Sequence, residues 1–144
     1  MTSKSRRIYV DGIFDLFHYG HMEMFARIKK IFPTCHIIVG ISKDCDTTKY
    51  KRKPILNSGE RYKSIIHCKE VDEIIRDVPW IIDKAFIDKY NIDYICHDPI
   101  AYPCETTEDV YKEWKNKGIF IGINRTKNIS SSNIIERIKN SHQM

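Results

Sequence analysis

No C-x-x-C pair occurs in the 144 residues, no apolar run approaches 18 residues, and no segment repeats. Each absence removes a class of protein. Without closely paired cysteines a zinc site is not expected. The five cysteines, Cys35, Cys45, Cys68, Cys96 and Cys104, are odd in number and widely spaced. Several fall in apolar runs, which suits buried, reduced thiols rather than a disulfide framework. Without a long apolar run there is no candidate transmembrane helix, and the start of the chain has no secretory pattern. An intracellular protein, cytoplasmic or nuclear, is therefore expected. Blocks of like charge are also missing, except for Lys49-Tyr50-Lys51-Arg52-Lys53. The net charge of +5 suits an anionic ligand or an anionic membrane surface. No nucleic-acid-binding module is recognisable, and no nucleic-acid partner is expected.

What is present is ordinary globular composition, 42% apolar and 30% charged. The length fits one domain with a real core. We expect flexible tails over 1–6 and 141–144 around a single domain at 7–140. Strand and helix patterns alternate throughout. Arg7–Val10 is a short β-prone run, and a helix is expected from about His21 to Phe32. His36–Ile41 is continuously apolar, as in a buried parallel strand. Residues 42–58 read as a mobile polar loop with one helical turn. Asn57, with Glu60 three positions on, makes a capping box for the next helix. Strands are expected at Val71–Ile75, Asp93–Cys96 and Ile119–Ile123. Helices are expected at Ile82–Tyr90, Glu108–Lys117 and from Ser131 onward. This alternation implies an α/β fold. We expect a Rossmann-like, three-layer arrangement, with about five parallel strands and helices on both faces. Ligands of such sheets bind at the carboxyl ends of the strands. The chemically suggestive residues fall there: Asp11 to His21, Ser42 to Lys51, His97-Asp98 and Arg125 to Ser132.

The stretch Val10-Asp11-Gly12-Ile13-Phe14-Asp15-Leu16-Phe17-His18-Tyr19-Gly20-His21 organises the chain. It runs from a strand through a loop into a helix start. Free N–H groups and the helix dipole make that start a phosphate site. His18 and His21 add donors, and Gly20 permits close approach to the backbone.

This D-G-I-F-D-L-F-H-x-G-H run resembles the choline-phosphate cytidylyltransferases of the H-x-G-H nucleotidyltransferase superfamily. Arg125-Thr126-Lys127-Asn128-Ile129-Ser130-Ser131-Ser132 resembles the family's distal R-T-x-G-I-S-T-S signature. The resemblance covers roughly Ile8 to Lys139. It implies transfer of cytidylyl from CTP to phosphocholine, giving CDP-choline and pyrophosphate, a step of phosphatidylcholine biosynthesis. It assigns His18, His21, Lys51 and Arg125 to catalysis. Gly12, Ile13, Phe14, His18, His21, His97, Asp98, Arg125, Thr126, Ile129, Ser130 and Ser131 are assigned to CTP. Asp15, Lys51, Trp80, Tyr102 and Tyr111 are assigned to phosphocholine, since aromatic faces and a carboxylate suit a quaternary ammonium. Lys51 would bridge the phosphates of the two substrates. Asn128 replaces a family glycine, and Asn tolerates a left-handed backbone. The chain also departs from the family at Lys69, Glu70 and Pro99.

The resemblance further implies Mg²⁺ arriving with CTP, for which no protein ligands are assigned, and a homodimer. The family's lipid-binding amphipathic helix follows the catalytic domain and is not found in this chain. Membrane association is expected only through such a segment. Alternative readings are the same chemistry on phosphoethanolamine or glycerol 3-phosphate, or a non-catalytic nucleotide-binding module of the same fold.

Overall fold

The computed structural model describes residues 5–141. Five strands carry the fold: β1 (Arg7–Gly12), β2 (His36–Ser42), β3 (Glu73–Val78), β4 (Tyr94–His97) and β5 (Phe120–Gly122). Six helices are interspersed: α1 (Tyr19–Ile31), α2 (Asp44–Tyr50), α3 (Ser58–Ile65), α4 (Lys84–Lys89), α5 (Lys112–Asn116) and α6 (Ser131–Ser141). All ladders are parallel, in the order β3-β2-β1-β4-β5. The chain works outward from β1 to β3, then crosses back to lay β4 on the other side of β1. That reversal opens a crevice beyond the carboxyl ends of β1 and β4.

Strand periodicity divides the core into two layers. Ile8, Val10, Ile37, Val39, Ile41 and Cys96 face Phe25 and Ile28 of α1 and Ile65 of α3. Tyr9, Ile38 and Ile95 face the opposite layer, with Phe86 and Ile87 of α4 and Trp114 of α5. Adjacent residues point to opposite sides, so runs such as Ile37-Ile38-Val39 must be apolar throughout. Each fully buried aliphatic side chain contributes about 1.5–3 kcal/mol. Gly40 is required by close approach: a Cβ there would lie 2.2 Å from the Tyr9 hydroxyl oxygen.

The expected three-layer α/β fold is thus present, with local differences. Helix α1 starts at Tyr19, because His18 rather than His21 caps it. Residues 42–58 are not a free loop. They hold α2, whose Asp44 receives Arg61 Nη2 at 2.5 Å and whose Thr47 hydroxyl pairs with Ser42 at 2.8 Å. Strand β3 starts at Glu73 and extends to Val78. Just before it, Asp72 takes the N–H of Ile37 on its side chain at 2.9 Å. Helix α5 starts only at Lys112, since Asp109 Oδ1 accepts the N–H groups of Tyr102 and Tyr111 and folds 102–111 into a turn. Asn57 caps α3 in the expected box with Glu60. The expected tails fall outside the described residues at 1–4 and 142–144, while Ser141 closes α6. Among the described residues no helix is long and apolar enough to cross a membrane.

Candidate active site

The crevice is floored by the end of β1, where Asp11 and Gly12 pass into the loop 13–18. Phe14 and Leu16 adopt left-handed backbones, φ 55° and 50°. Such φ values are unfavourable for bulky residues, and burial of Phe14 against Phe25 offsets them. Phe17 lies flat on His21, with planes 7° apart and centroids 5.2 Å apart.

The loop delivers two imidazoles to the start of α1. His18 Nδ1 accepts the N–H of Gly20 at 3.1 Å. His21 Nδ1 accepts the N–H of His18, also at 3.1 Å. The rings stack with centroids 3.8 Å apart. Both Nδ1 atoms being acceptors, the proton of each neutral ring sits on Nε2. Burial lowers the proton affinity of His18. Burial, then His18 and Arg125, pushes that of His21 down to about 3, against the pull of Asp15. The pair is neutral near pH 7 and presents N–H donors without net charge. Gly20 leaves room for this arrangement: a Cβ would lie 2.9 Å from the His18 ring and 3.0 Å from Ile129 Cγ2, so the imidazole would have to shift.

The histidines line a cleft of about 420 Å³, with Lys51, Arg52, Asp98, Arg125, Thr126 and Ser130–Ser132 on its other walls. Asn128 adopts φ 69°, the left-handed turn expected where the family has glycine. The turn brings Ile129 over Gly20 and starts α6 at the cleft. Thr126 donates its hydroxyl to Glu23 at 2.7 Å. Ser131 donates to the Asp15 carbonyl, and Ser130 accepts the N–H of Asn133 at 3.0 Å. The first two bonds tie the distal segment to α1 and the first loop, and the third caps the start of α6. Within the same region, Asp98 Oδ2 accepts Tyr102 Oη at 2.5 Å and Arg125 Nε at 3.1 Å. Arg125 Nη2 also donates to the Tyr102 hydroxyl at 2.9 Å. Burial works against the Asp98 carboxylate, but Tyr102, His97 and Arg125 together hold its proton affinity below the usual range.

A smaller cavity, about 90 Å³, adjoins this cleft. Trp80, Tyr102, Tyr111, Val78 and Val110 line it with Asp11. The two spaces share Lys51, His97 and Arg125, along with Asp11, Gly12 and Ile13. Tyr111 donates to Asp11 Oδ1 at 2.6 Å. Burial raises the proton affinity of Asp11, partly opposed by His97 and Tyr111. Lys51 Nζ lies 4.1 Å from the Tyr102 ring centroid, and burial, then Arg125, lowers its proton affinity.

The structure separates the two acids of the first loop. Asp15, expected beside an ammonium group, lines the larger cleft and has its oxygens engaged. Oδ2 takes Arg52 Nη1 at 3.0 Å and the N–H of Ile55 at 2.8 Å; Oδ1 takes the N–H of Leu56 at 2.9 Å. It is a strut for the segment after α2. The carboxylate that lines the aromatic cavity is Asp11, which sequence reasoning placed at a strand end without giving it a role. An acid closing the apolar run Ile8-Tyr9-Val10 was the available signal. Arg61 was also missed. Fully buried, it donates to Ile13, Ser42 and Leu56 carbonyls and to Asp44. Its position four residues before Ile65, on the buried side of α3, was the clue.

Residues 9–137 match the cytidylyltransferase-like family. The chain belongs to that family. As a family member it is 46% identical over 135 residues to choline-phosphate cytidylyltransferase 2 of Arabidopsis thaliana, which covers 92% of this chain and 44% of that protein. It is 42% identical over 132 residues to choline-phosphate cytidylyltransferase A of Mus musculus, covering 92% of this chain and 36% of that protein. The chain thus spans less than half the length of these two relatives. A lipopolysaccharide core biosynthesis protein of Thermoplasma volcanium GSS1 superposes with a TM-score of 0.62 at 22% identity, covering 88% of this chain and 100% of that one. That likeness shows the fold alone. In this cytidylyltransferase-like domain, both family signatures converge on the single crevice, although more than a hundred residues separate them in the chain.

Proposed function

We propose that the chain transfers cytidylyl from CTP to phosphocholine, forming CDP-choline and pyrophosphate. The observation that carries this reading is the shared wall of Lys51, His97 and Arg125 between a cleft rich in donors and an aromatic cavity lined by an acid. The cleft suits a triphosphate, because it combines a helix N-terminus with cations. The cavity suits a quaternary ammonium, because aromatic faces attract a cation that cannot donate a hydrogen bond. A buried carboxylate with raised proton affinity is stabilised as an anion when such a cation arrives. The similarity to proteins named for choline phosphate supports the same acceptor.

An oxygen of the phosphocholine phosphate attacks the α-phosphorus of CTP. A new P–O bond forms as the bond to the α–β bridging oxygen breaks, and the electron pair leaves with pyrophosphate. No side chain acts as nucleophile. The protein's work is alignment and charge stabilisation. Lys51 on the shared wall draws the two phosphates together, and Arg125 adds positive charge. His18 and His21 donate from Nε2 to phosphate oxygens as neutral groups. Removing either is expected to slow turnover by about 10²–10³. Magnesium is proposed to arrive on the oxygens of the triphosphate. Among the described residues no three His, Cys, Asp or Glu side chains gather as a ligand set, and none is assigned to the ion. A homodimer is also proposed, formed through the exposed Tyr19 and Met22 at the start of α1; sedimentation analysis tests it.

Pyrophosphate release with CTP and magnesium tests the main reading. Phosphocholine, phosphoethanolamine and glycerol 3-phosphate are offered in parallel. Turnover with phosphocholine above the other two is expected. Equal or better turnover with another acceptor removes the role given to the aromatic cavity. Silence with all three, in a chain that binds CTP, favours a non-catalytic module.

A further inference from the structure

Lys49 and Tyr50 end α2, Lys51 follows them, and all three reach the segments that carry Trp80 and Tyr102, two residues lining the aromatic cavity. Lys49 Nζ lies 2.5 Å from Glu105 Oε1. Tyr50 donates its hydroxyl to Glu105 Oε2 at 2.8 Å, and its ring stacks on Trp80 with centroids 4.9 Å apart. Lys51 Nζ sits over the Tyr102 ring at 4.1 Å. Glu105 belongs to the segment between β4 and α5 that also carries Tyr102 and Tyr111. Its two oxygens therefore each take a donor from α2. Lys49 and then Tyr50 hold it ionised, with its proton affinity pushed down to about 2.

The other attachments of this segment lie at the start of α2, at Thr47, whose hydroxyl pairs with Ser42, and beyond its end. Arg61 grips Asp44, and Asp15 grips Arg52. Glu105 acts between them, on the two residues whose backbone immediately precedes Lys51. Because the three are consecutive, fixing Lys49 and Tyr50 to Glu105 fixes the point from which the Lys51 side chain springs. The stack on Trp80 ties the same residues to a side chain that lines the cavity.

We infer that Glu105 is a positioning residue: through Lys49 and Tyr50 it latches the end of α2 across the acceptor cavity and so sets Lys51 between the two substrates. The inference rests on the reading of the two pockets given above. Glu105 itself lines neither the cleft nor the aromatic cavity. Its pair with Lys49 is exposed, 58% and 59% respectively, so salt weakens the latch.

The test uses the full chain with Glu105→Ala, Lys49→Glu and the reversed pair Lys49→Glu/Glu105→Lys. Acrylamide quenching reads the latch without turnover. The sequence has two tryptophans, and Trp114 is 2% exposed, so the quenchable signal comes from Trp80; Trp80→Phe identifies its share. Glu105→Ala is expected to raise that quenching about two-fold. It is expected to lower kcat/KM for phosphocholine about five-fold, the upper range for one exposed ion pair, with KM for CTP unchanged. Lys49→Glu is expected to behave like Glu105→Ala, and the reversed pair to recover at least half of each loss. Unchanged quenching in Glu105→Ala, or a reversed pair no better than the singles, overturns the latch. Silence towards every acceptor defeats the functional reading instead, and quenching then decides the latch by itself.

Discussion

His21 Nδ1 accepts the backbone N–H of His18 at 3.1 Å, and the two rings stack with centroids 3.8 Å apart. One hydrogen bond thereby orders the helix start, fixes a tautomer and aligns two neutral donors.

Protonating His21 would replace an acceptor with a donor facing another donor. Its proton affinity in the folded protein, about 3, lies below the ordinary value of 6.5. The neutral ring therefore adds stability that is complete above about pH 6.5 and is lost as pH falls toward about 3. Between pH 7 and pH 5 the loss is expected to be roughly 1 kcal/mol, discounted for a ring that is partly open to solvent. Urea midpoints of the native chain and His21→Gln across this range check it. Parallel curves would mean that the ring is not held neutral.

Gly20→Ala places a methyl group against the His18 ring and Ile129. Alanine favours a helix over glycine by about 0.5–1 kcal/mol, which opposes the steric cost. Stability is expected to stay within about 1 kcal/mol of native, while kcat/KM falls about ten-fold or more through the displaced imidazole. Thermal melting and steady-state kinetics on one preparation separate the two effects.

Asp11 and Asp15 give opposite signatures when each is changed to asparagine. Asp11→Asn removes the carboxylate from the aromatic cavity. KM for phosphocholine is expected to rise about ten-fold, corresponding to about 1.4 kcal/mol, with stability held or improved. Asp15→Asn breaks up the set of donors from Arg52, Ile55 and Leu56. It is expected to cost about 2–3 kcal/mol of stability, read from urea unfolding.

Arg61→Met leaves the Asp44 carboxylate and three carbonyls without their buried donor. A cost of about 3–5 kcal/mol is expected, mainly from the carbonyls left unpaired, since the Asp44 side chain is 45% exposed. Arg61→Lys is expected to recover little, because an ammonium has three donors and cannot reach all of these sites in a plane. Chemical denaturation compares the two variants directly.

The alternation of strands and helices was legible in the sequence because each element repeats at its own period. A buried parallel strand is apolar throughout, and helices show apolar residues three and four apart. The caps at Asn57 and at the start of α6 were equally local, and the left-handed site at Asn128 followed from the family's glycine at that place. The element ends were less legible. Helix α5 starts late because Asp109 spends its carboxylate on the turn 102–111, and α2 runs longer than the single turn expected there because Arg61 receives Asp44.

By itself, then, the sequence determined the layered sheet and the two segments that build the cleft, since both follow from residues close together in the chain. The tertiary structure alone decided which acid lines the aromatic cavity and which is taken up by the segment after α2. Asp11 and Asp15 stand four apart on one strand-loop segment. What separates them is Tyr111, which bonds to Asp11, and Arg52, Ile55 and Leu56, which occupy Asp15. These partners lie tens of residues away. A carboxylate is available to a ligand only where the fold has not already filled its lone pairs.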